Sequence, residues 1–260
     1  MEGRVHYLFD KRVQKPVIYR VGDLNEDITM QEILTYKLGK CHLRFDRPNN
    51  TSIFLSSSDR ELKQAKTIYN TLIRPKIIQR ELFDLSNEDN VLLYDYLEHI
   101  QSSIVMAFTA IECLANELLP KDFVYKQKVQ GGEIKEFNNK DIERWVSTID
   151  KIALVLPSAL GITNPTKYNF WPKFTKLKDL RNDIIHSRNV LPIDQKEHER
   201  IILLLLSDSV FGKIKSATEL VNKIHSELSE HRNMPFLKEV ETINPIEIPT
   251  WESLGTTKIE

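Results

Sequence analysis

Arg181 and His186 are separated by four residues in a segment with a helical pattern, and Asn182 follows the arginine directly. Arg181 carries a fixed positive charge that can stabilise an anion developing on a phosphate group. His186 can exchange protons near neutral pH. Cleavage of a phosphodiester without a metal ion needs both abilities, so Arg181, Asn182 and His186 are the candidate catalytic residues.

A helical wheel places Arg181 inside an apolar arc rather than on the solvent face. The apolar members of this arc are Phe174, Leu177, Leu180, Ile184 and Ile185. An unpaired cation on a packing face costs free energy. Arg181 therefore needs an anionic partner, or its face must be a polar cleft at a subunit interface.

A carboxylate on an earlier helical segment is the candidate partner of this cation. The stretch Ile104–Leu119 carries an apolar stripe, and Glu112 lies within or beside that stripe. We expect Glu112 to reach Arg181 or His186 across the helix pair, and Asn116, one turn further along, can join the same network. Of the two interpretations of Glu112, a structural ion pair is slightly favoured over a catalytic role.

Both segments resemble parts of the HEPN superfamily. Arg181–His186 is similar to its R-x4-6-H motif in the RNxxxH form, and Ala107–Leu119 resembles the second helix of HEPN domains. The resemblance covers about residues 58 to 228. It implies a dimeric, metal-independent RNA endonuclease in which two motif helices form one composite cleft. Such ribonucleases commonly serve as toxins or as antiphage-defence effectors.

The resemblance also implies roles for individual residues. Arg181, Asn182 and His186 match the motif positions, and Glu112, Asn116 and Asp183 are the supporting residues. One toxin branch is regulated through a tyrosine two positions after the histidine; here that position is Arg188. Regulation of that kind is therefore not expected. RNA, a second copy of the chain and an antitoxin or defence-system protein are the expected partners.

Basic residues around the motif are candidates for contacts with the RNA backbone. They are Lys173, Lys176, Lys178 and Arg188. Acidic residues are interspersed with them, so a solvated surface of mixed charge is an equally good interpretation. The chain as a whole has a formal net charge of −1, which argues against an overall basic field.

Composition and motifs narrow the remaining function classes. Cys41 and Cys113 are far apart and lack metal-ligand neighbours, so we expect no metal site, and no cofactor is indicated. Glycine-rich phosphate loops and GxSxG are absent, which argues against kinase and serine-hydrolase chemistry. The N-terminus has no signal-peptide pattern, and the longest apolar run, Ile201–Leu206, is too short for a bilayer. We expect a cytoplasmic protein without membrane contact.

The hydrophobic pattern predicts a mainly α protein with three parts. Residues 1–57 are expected to form a small α+β extension, with one short helix over Thr29–Leu38. Residues 58–232 are expected to form a HEPN-like up-and-down helical bundle, with a loop over Lys126–Asn139. Residues 233–260, which contain three prolines, are expected to form an extended tail.

Two other interpretations of the motif remain open at this stage. Arg181 and His186 can be a surface cation and a histidine at a helix end, as part of a non-catalytic HEPN-like binding or sensor module. A buried, fully paired His186 would favour that module, whereas an open one would favour the enzyme. A nucleotide-binding accessory to a separate transferase is a third interpretation, but no phosphate loop supports it.

Overall fold

The computed structural model describes residues 4–7, 10–24, 26–79, 84–128, 132–186, 195–237 and 240–255. Within these ranges the chain forms nine α-helices and nine strands. The helices are α1 (Asn50–Ile68), α2 (Arg74–Gln79), α3 (Asn87–Glu117), α4 (Asn139–Trp145), α5 (Thr148–Asp150), α6 (Leu156–Leu160), α7 (Trp171–Ile185), α8 (Gln195–Leu206) and α9 (Ser209–Leu228). The strands are β1 (Arg4–Tyr7), β2 (Val17–Val21), β3 (Glu26–Met30), β4 (Ile33–Leu38), β5 (Cys41–Asp46), β6 (Tyr125–Lys128), β7 (Ile134–Phe137), β8 (Val240–Ile243) and β9 (Ile246–Ile248).

The fold is mixed α+β, so the prediction of a mainly α, up-and-down bundle with an extended tail is wrong. Among the described residues, the strands form four small sheets with the orders β1-β8, β3-β2-β9, β4-β5 and β6-β7. All pairs are antiparallel except β2 and β9, which run parallel with Tyr19 opposite Ile246. Strands from both ends of the chain thus pair with each other.

Residues 233–237 and 240–255, the described part of the tail, are structured where the sequence predicts an extended tail. Its strands β8 and β9 pair with β1 and β2, and a 3-10 turn follows at Trp251–Gly255. Ile248 is buried in a small core together with Tyr19 and Val21. Removing these three side chains from water stabilises the pairing of β9 with β2.

Two further local predictions are corrected. The short helix expected over Thr29–Leu38 is absent, because these residues belong to β3 and to the hairpin β4–β5. The loop expected over Lys126–Asn139 instead contains most of the hairpin β6–β7. Phe137, at the end of β7, packs in a second small core with Ile142 and Val155.

The chain divides into two compact units. Unit 1 comprises residues 1–53, 113–163 and 222–260, and unit 2 comprises residues 54–112 and 164–221. All described strands belong to unit 1. The described parts of unit 2 contain helices joined by turns and short irregular segments, and the Arg181–His186 segment lies there.

In unit 2, helix α7 is held by its apolar side. Pro172 stands in the first turn, where its missing N–H leaves no hydrogen bond unmade. Phe174, Leu177 and Leu180 are buried at helical spacing. The ring of Phe174 stacks on Phe108 of α3, with 5.9 Å between the ring centroids. This contact fixes the motif helix against α3.

The other helices of unit 2 depart from regular α geometry at two points. A π turn at Tyr69–Ile73 separates α1 from α2, just before Pro75. The last helical pattern breaks at Ser207 and Asp208, between α8 and α9. None of the helices in the described ranges combines the length and hydropathy that a bilayer span requires.

Candidate functional site

Arg181 and Glu112 form an ion pair between α7 and α3. The distance from Arg181 Nη2 to Glu112 Oε2 is 3.8 Å, and the side chains are 23% and 34% exposed. This pairing is one of the two contacts of Glu112, with Arg181 or with His186, that the sequence predicts from the two apolar faces. The contact explains how a cation is accommodated beside the buried residues of α7.

Two more groups hold the guanidinium of Arg181. Its Nη1 donates a hydrogen bond to Asn182 Oδ1 at 3.2 Å. Its Cζ lies 5.7 Å from the ring centroid of Phe108, which places the cation within reach of the aromatic ring. A carboxylate, an amide and an aromatic ring thus fix the position of this group.

One donor of the same guanidinium remains unsatisfied. Arg181 Nε is buried, and no hydrogen-bond acceptor for it exists within the described parts of the chain. A buried donor without a partner costs free energy, of the order of 1–3 kcal/mol.

His186 lies at the C-terminal end of α7, in an open position. Its backbone N–H donates to Asn182 O at 2.8 Å, which closes the last turn of the helix. Its side chain is exposed and makes no hydrogen bond or ion pair within the described residues. The imidazole is consequently free to meet a ligand from solvent.

The supporting residues Asp183 and Asn116 have partners outside the motif. Asp183 Oδ2 accepts a hydrogen bond from Arg200 Nη2 at 2.8 Å, which ties α7 to α8. Asn116 Oδ1 accepts a hydrogen bond from Lys151 Nζ at 2.8 Å. This lysine is the hydrogen-bond partner of the Asn116 side chain in the described structure, and the predicted place of Asn116 in the motif network stays a prediction. The Asn116 side chain lies one turn beyond Glu112 on α3 and is exposed.

The predicted RNA-binding residues differ in their surroundings. Lys173 and Lys176 are exposed on α7, whereas Lys178 pairs with its neighbour Asp179 at 3.2 Å. Arg188 lies outside the described residues. Lys178 is partly neutralised, so Lys173 and Lys176 are the better candidates for contacts with an anion.

Sequence reasoning missed Lys213 of α9, which adds positive charge near Lys176. Lys213 is buried and donates to Ser209 Oγ at 2.8 Å. Burial lowers the pKa of Lys213, and the positive charge of Lys176 lowers it further. The helical pattern places Lys213 on α9, but its proximity to α7 depends on packing that the pattern does not show.

The described residues contain no group of three or more His, Cys, Asp or Glu side chains placed to share a metal ion. The groups that this site offers for chemistry are a held guanidinium, an amide and an open imidazole. Together they can bind an anion and transfer a proton beside it.

Comparisons of this chain with protein-family models, with curated proteins and with solved structures found no match.

Proposed function

We propose that this protein is a metal-independent RNA endonuclease whose catalytic residues are Arg181, Asn182 and His186. One observation carries the proposal. A partly buried arginine, held by Glu112 and Asn182, is followed at the end of the same helix by a histidine that is open to solvent. A fixed cation and an accessible proton carrier are the two groups that metal-free phosphodiester cleavage requires.

The proposed reaction is an internal transfer within the RNA. The 2′-oxygen attacks the adjacent phosphorus, the new O2′–P bond forms and the P–O5′ bond breaks. One proton leaves the 2′-hydroxyl for a base, and another reaches the departing 5′-oxygen from an acid. His186 serves as one of these groups, while Arg181 stabilises the charge on the phosphorane-like transition state and Asn182 orients the phosphate or the histidine.

A homodimer completes the proposed site. Two copies of His186 across a two-fold axis supply both the base and the acid. A single imidazole cannot act as both in the same step. Ile185, next to His186, is 50% exposed and offers an apolar contact for the second copy. The proposed setting is the cytoplasm, with the enzyme acting as a toxin or an antiphage-defence effector.

A non-catalytic binding module is the second candidate, and the Arg181–Glu112 contact favours it, because a paired arginine can serve structure alone. The exposure of His186 supports the enzyme instead. Incubation of the purified protein with total RNA in EDTA separates the two. The enzyme yields fragments with 2′,3′-cyclic phosphate and 5′-hydroxyl ends, whereas intact RNA would favour the module.

A further inference from the structure

A groove between α1 and α9 within unit 2 is lined by cationic side chains. Its volume is about 600 Å³. Lys63 and Lys66 project into it from α1, and Lys215 projects from α9. Asn70, in the π turn that follows α1, and Thr218 add polar donors. None of these five residues belongs to the Arg181–His186 site.

Among the donors of the groove, Thr67 donates to the backbone oxygen of Lys63 at 3.1 Å, but the lysine ammonium groups are not bound to acceptors of the described chain. Lys63, Lys66 and Lys215 make no ion pair there, and the side chains of Asn70 and Thr218 make no hydrogen bond there. Three ammonium groups and two polar side chains from two helices around one groove are suited to a ligand that brings only acceptors.

Two of the lysines repel each other. Lys66 is half-buried, and its Nζ lies 5.5 Å from the ring centroid of Phe211. Burial lowers the pKa of Lys66. Lys215 lowers it further, because its ammonium group repels that of Lys66 and lies within hydrogen-bonding range of it. Two ammonium groups facing one another cost free energy until an anion lies between them.

The groove also has two carboxylates, but they leave a positive excess. Asp59 and Glu219 line it together with the three lysines. Asp59 attracts Lys66 and so offsets part of the repulsion from Lys215. The formal charges of these five side chains sum to +1. Lys66 is half-buried, whereas the other four charged side chains are exposed.

The length of the groove favours a polymer over a single small anion. Its α1 wall runs from Asp59 to Asn70, three turns of one helix face and roughly 17 Å at 1.5 Å per residue. A lone phosphate would satisfy one end only. We propose that this groove binds the phosphate backbone of single-stranded RNA through Lys63, Lys66 and Lys215.

This inference rests on the proposed function, since it adds a docking groove to an RNA-cleaving site. The test uses a fluorescent 2′-O-methyl oligoribonucleotide, which has the RNA backbone but lacks the hydroxyl nucleophile and is not cut. Its binding to the full chain is measured by anisotropy at several salt concentrations. The variant is Lys63→Gln/Lys66→Gln/Lys215→Gln. The control is Lys37→Gln/Lys40→Gln/Lys121→Gln, which makes the same charge change at exposed positions outside the groove.

We expect the groove variant to bind at least tenfold more weakly than the control, with a slope of log affinity against log salt smaller by about 2. Equal affinities and equal slopes for two folded variants, checked by circular dichroism, would overturn the proposal. Tripolyphosphate and unlabelled oligonucleotide are also compared as competitors of the fluorescent probe. If the two displace the probe equally well at equal phosphate concentration, the groove binds a small phosphorylated ligand and the proposal is overturned.

The outcome is separable from the fate of the proposed function. If wild-type protein never cuts RNA yet the groove variant loses binding, the nuclease proposal fails and the groove stands. If RNA is cut through His186 while the groove variant binds like the control, only the groove fails.

Discussion

The guanidinium of Arg181 is held 3.8 Å from the carboxylate of Glu112, on neighbouring helices that both bury apolar faces. Phe108 lies under the same guanidinium and stacks on Phe174 of the motif helix. The cation is therefore fixed by the packing of α3 on α7. Loss of any of these contacts is expected to change where the guanidinium points.

Removal of the Glu112 carboxylate should destabilise the fold. Glu112→Ala leaves the partly buried Arg181 without its anion, and we expect a loss of about 1–2 kcal/mol. A third of the Glu112 side chain is exposed, so the loss falls below the roughly 3–5 kcal/mol of a fully buried pair. Chemical denaturation measures it, with Glu98→Ala on the exposed side of α3 as the control. Equal unfolding free energies for both variants would show that the ion pair does not contribute to the stability of the fold.

Replacement of Arg181 by lysine should separate charge from shape. Lysine keeps the positive charge but cannot reach Glu112 and Asn182 at once with a planar fork. We expect RNA cleavage to fall by about 10²–10³-fold, the usual effect of losing one transition-state donor. Folding, followed by circular dichroism, should persist because Phe174, Leu177 and Leu180 still pack. Near wild-type cleavage by Arg181→Lys would mean that only a diffuse positive charge is needed.

The dimer should depend on the exposed end of the motif helix. Ile185→Glu puts a charge on a side chain that is 50% exposed in the single chain. We expect light scattering at micromolar concentration to show a dimer for the wild type and a monomer for this variant. Ile134→Glu on β7, 62% exposed, is the matched control and should remain dimeric. A wild-type monomer, or a dimer unaffected by Ile185→Glu, would rule out the composite site at this helix.

The stability of unit 1 should depend on the ionisation of Glu117. Burial raises the pKa of Glu117 above its ordinary value of 4.5, although Thr51 donates a hydrogen bond to Oε2 at 2.9 Å. The folded state therefore disfavours the carboxylate, so stability falls as the pH rises from 4.5 through the higher folded pKa. Glu117→Gln should raise the Tm by about 2 °C or more at pH 8 and leave it unchanged near pH 4. A Tm difference that does not vary with pH would contradict this.

The candidate site was predictable from sequence to the extent that it depends on helix faces. Arg181 and Glu112 stand out because each is a charge on an apolar face, and two such faces pack together. The position of Asn116 was not predictable, because its partner Lys151 comes from a distant segment. The ring of Phe108 under Arg181 was missed because an aromatic residue in an apolar stripe signals only burial.

The strands were harder to predict because their signals are weak or non-local. The strands β6 and β7 are largely exposed and hold three lysines, one glutamine and one glutamate among their eight residues, so they lack the apolar alternation that marks a half-buried strand. The strands β8 and β9 are short and pair with β1 and β2, more than 200 residues earlier in the chain. Local pattern carries no information about such partners.

The most direct test of the central claim is the rate of RNA cleavage in EDTA for wild type and His186→Ala. His42→Ala, at another exposed histidine, is the matched control. Since the His186 side chain is exposed, its removal should change stability by less than about 0.5 kcal/mol. We expect the wild type and His42→Ala to cut RNA at the same rate and His186→Ala to be slower by at least about 10²-fold. The account would be contradicted if a folded His186→Ala protein cut RNA at the wild-type rate, or if none of the three proteins cut RNA.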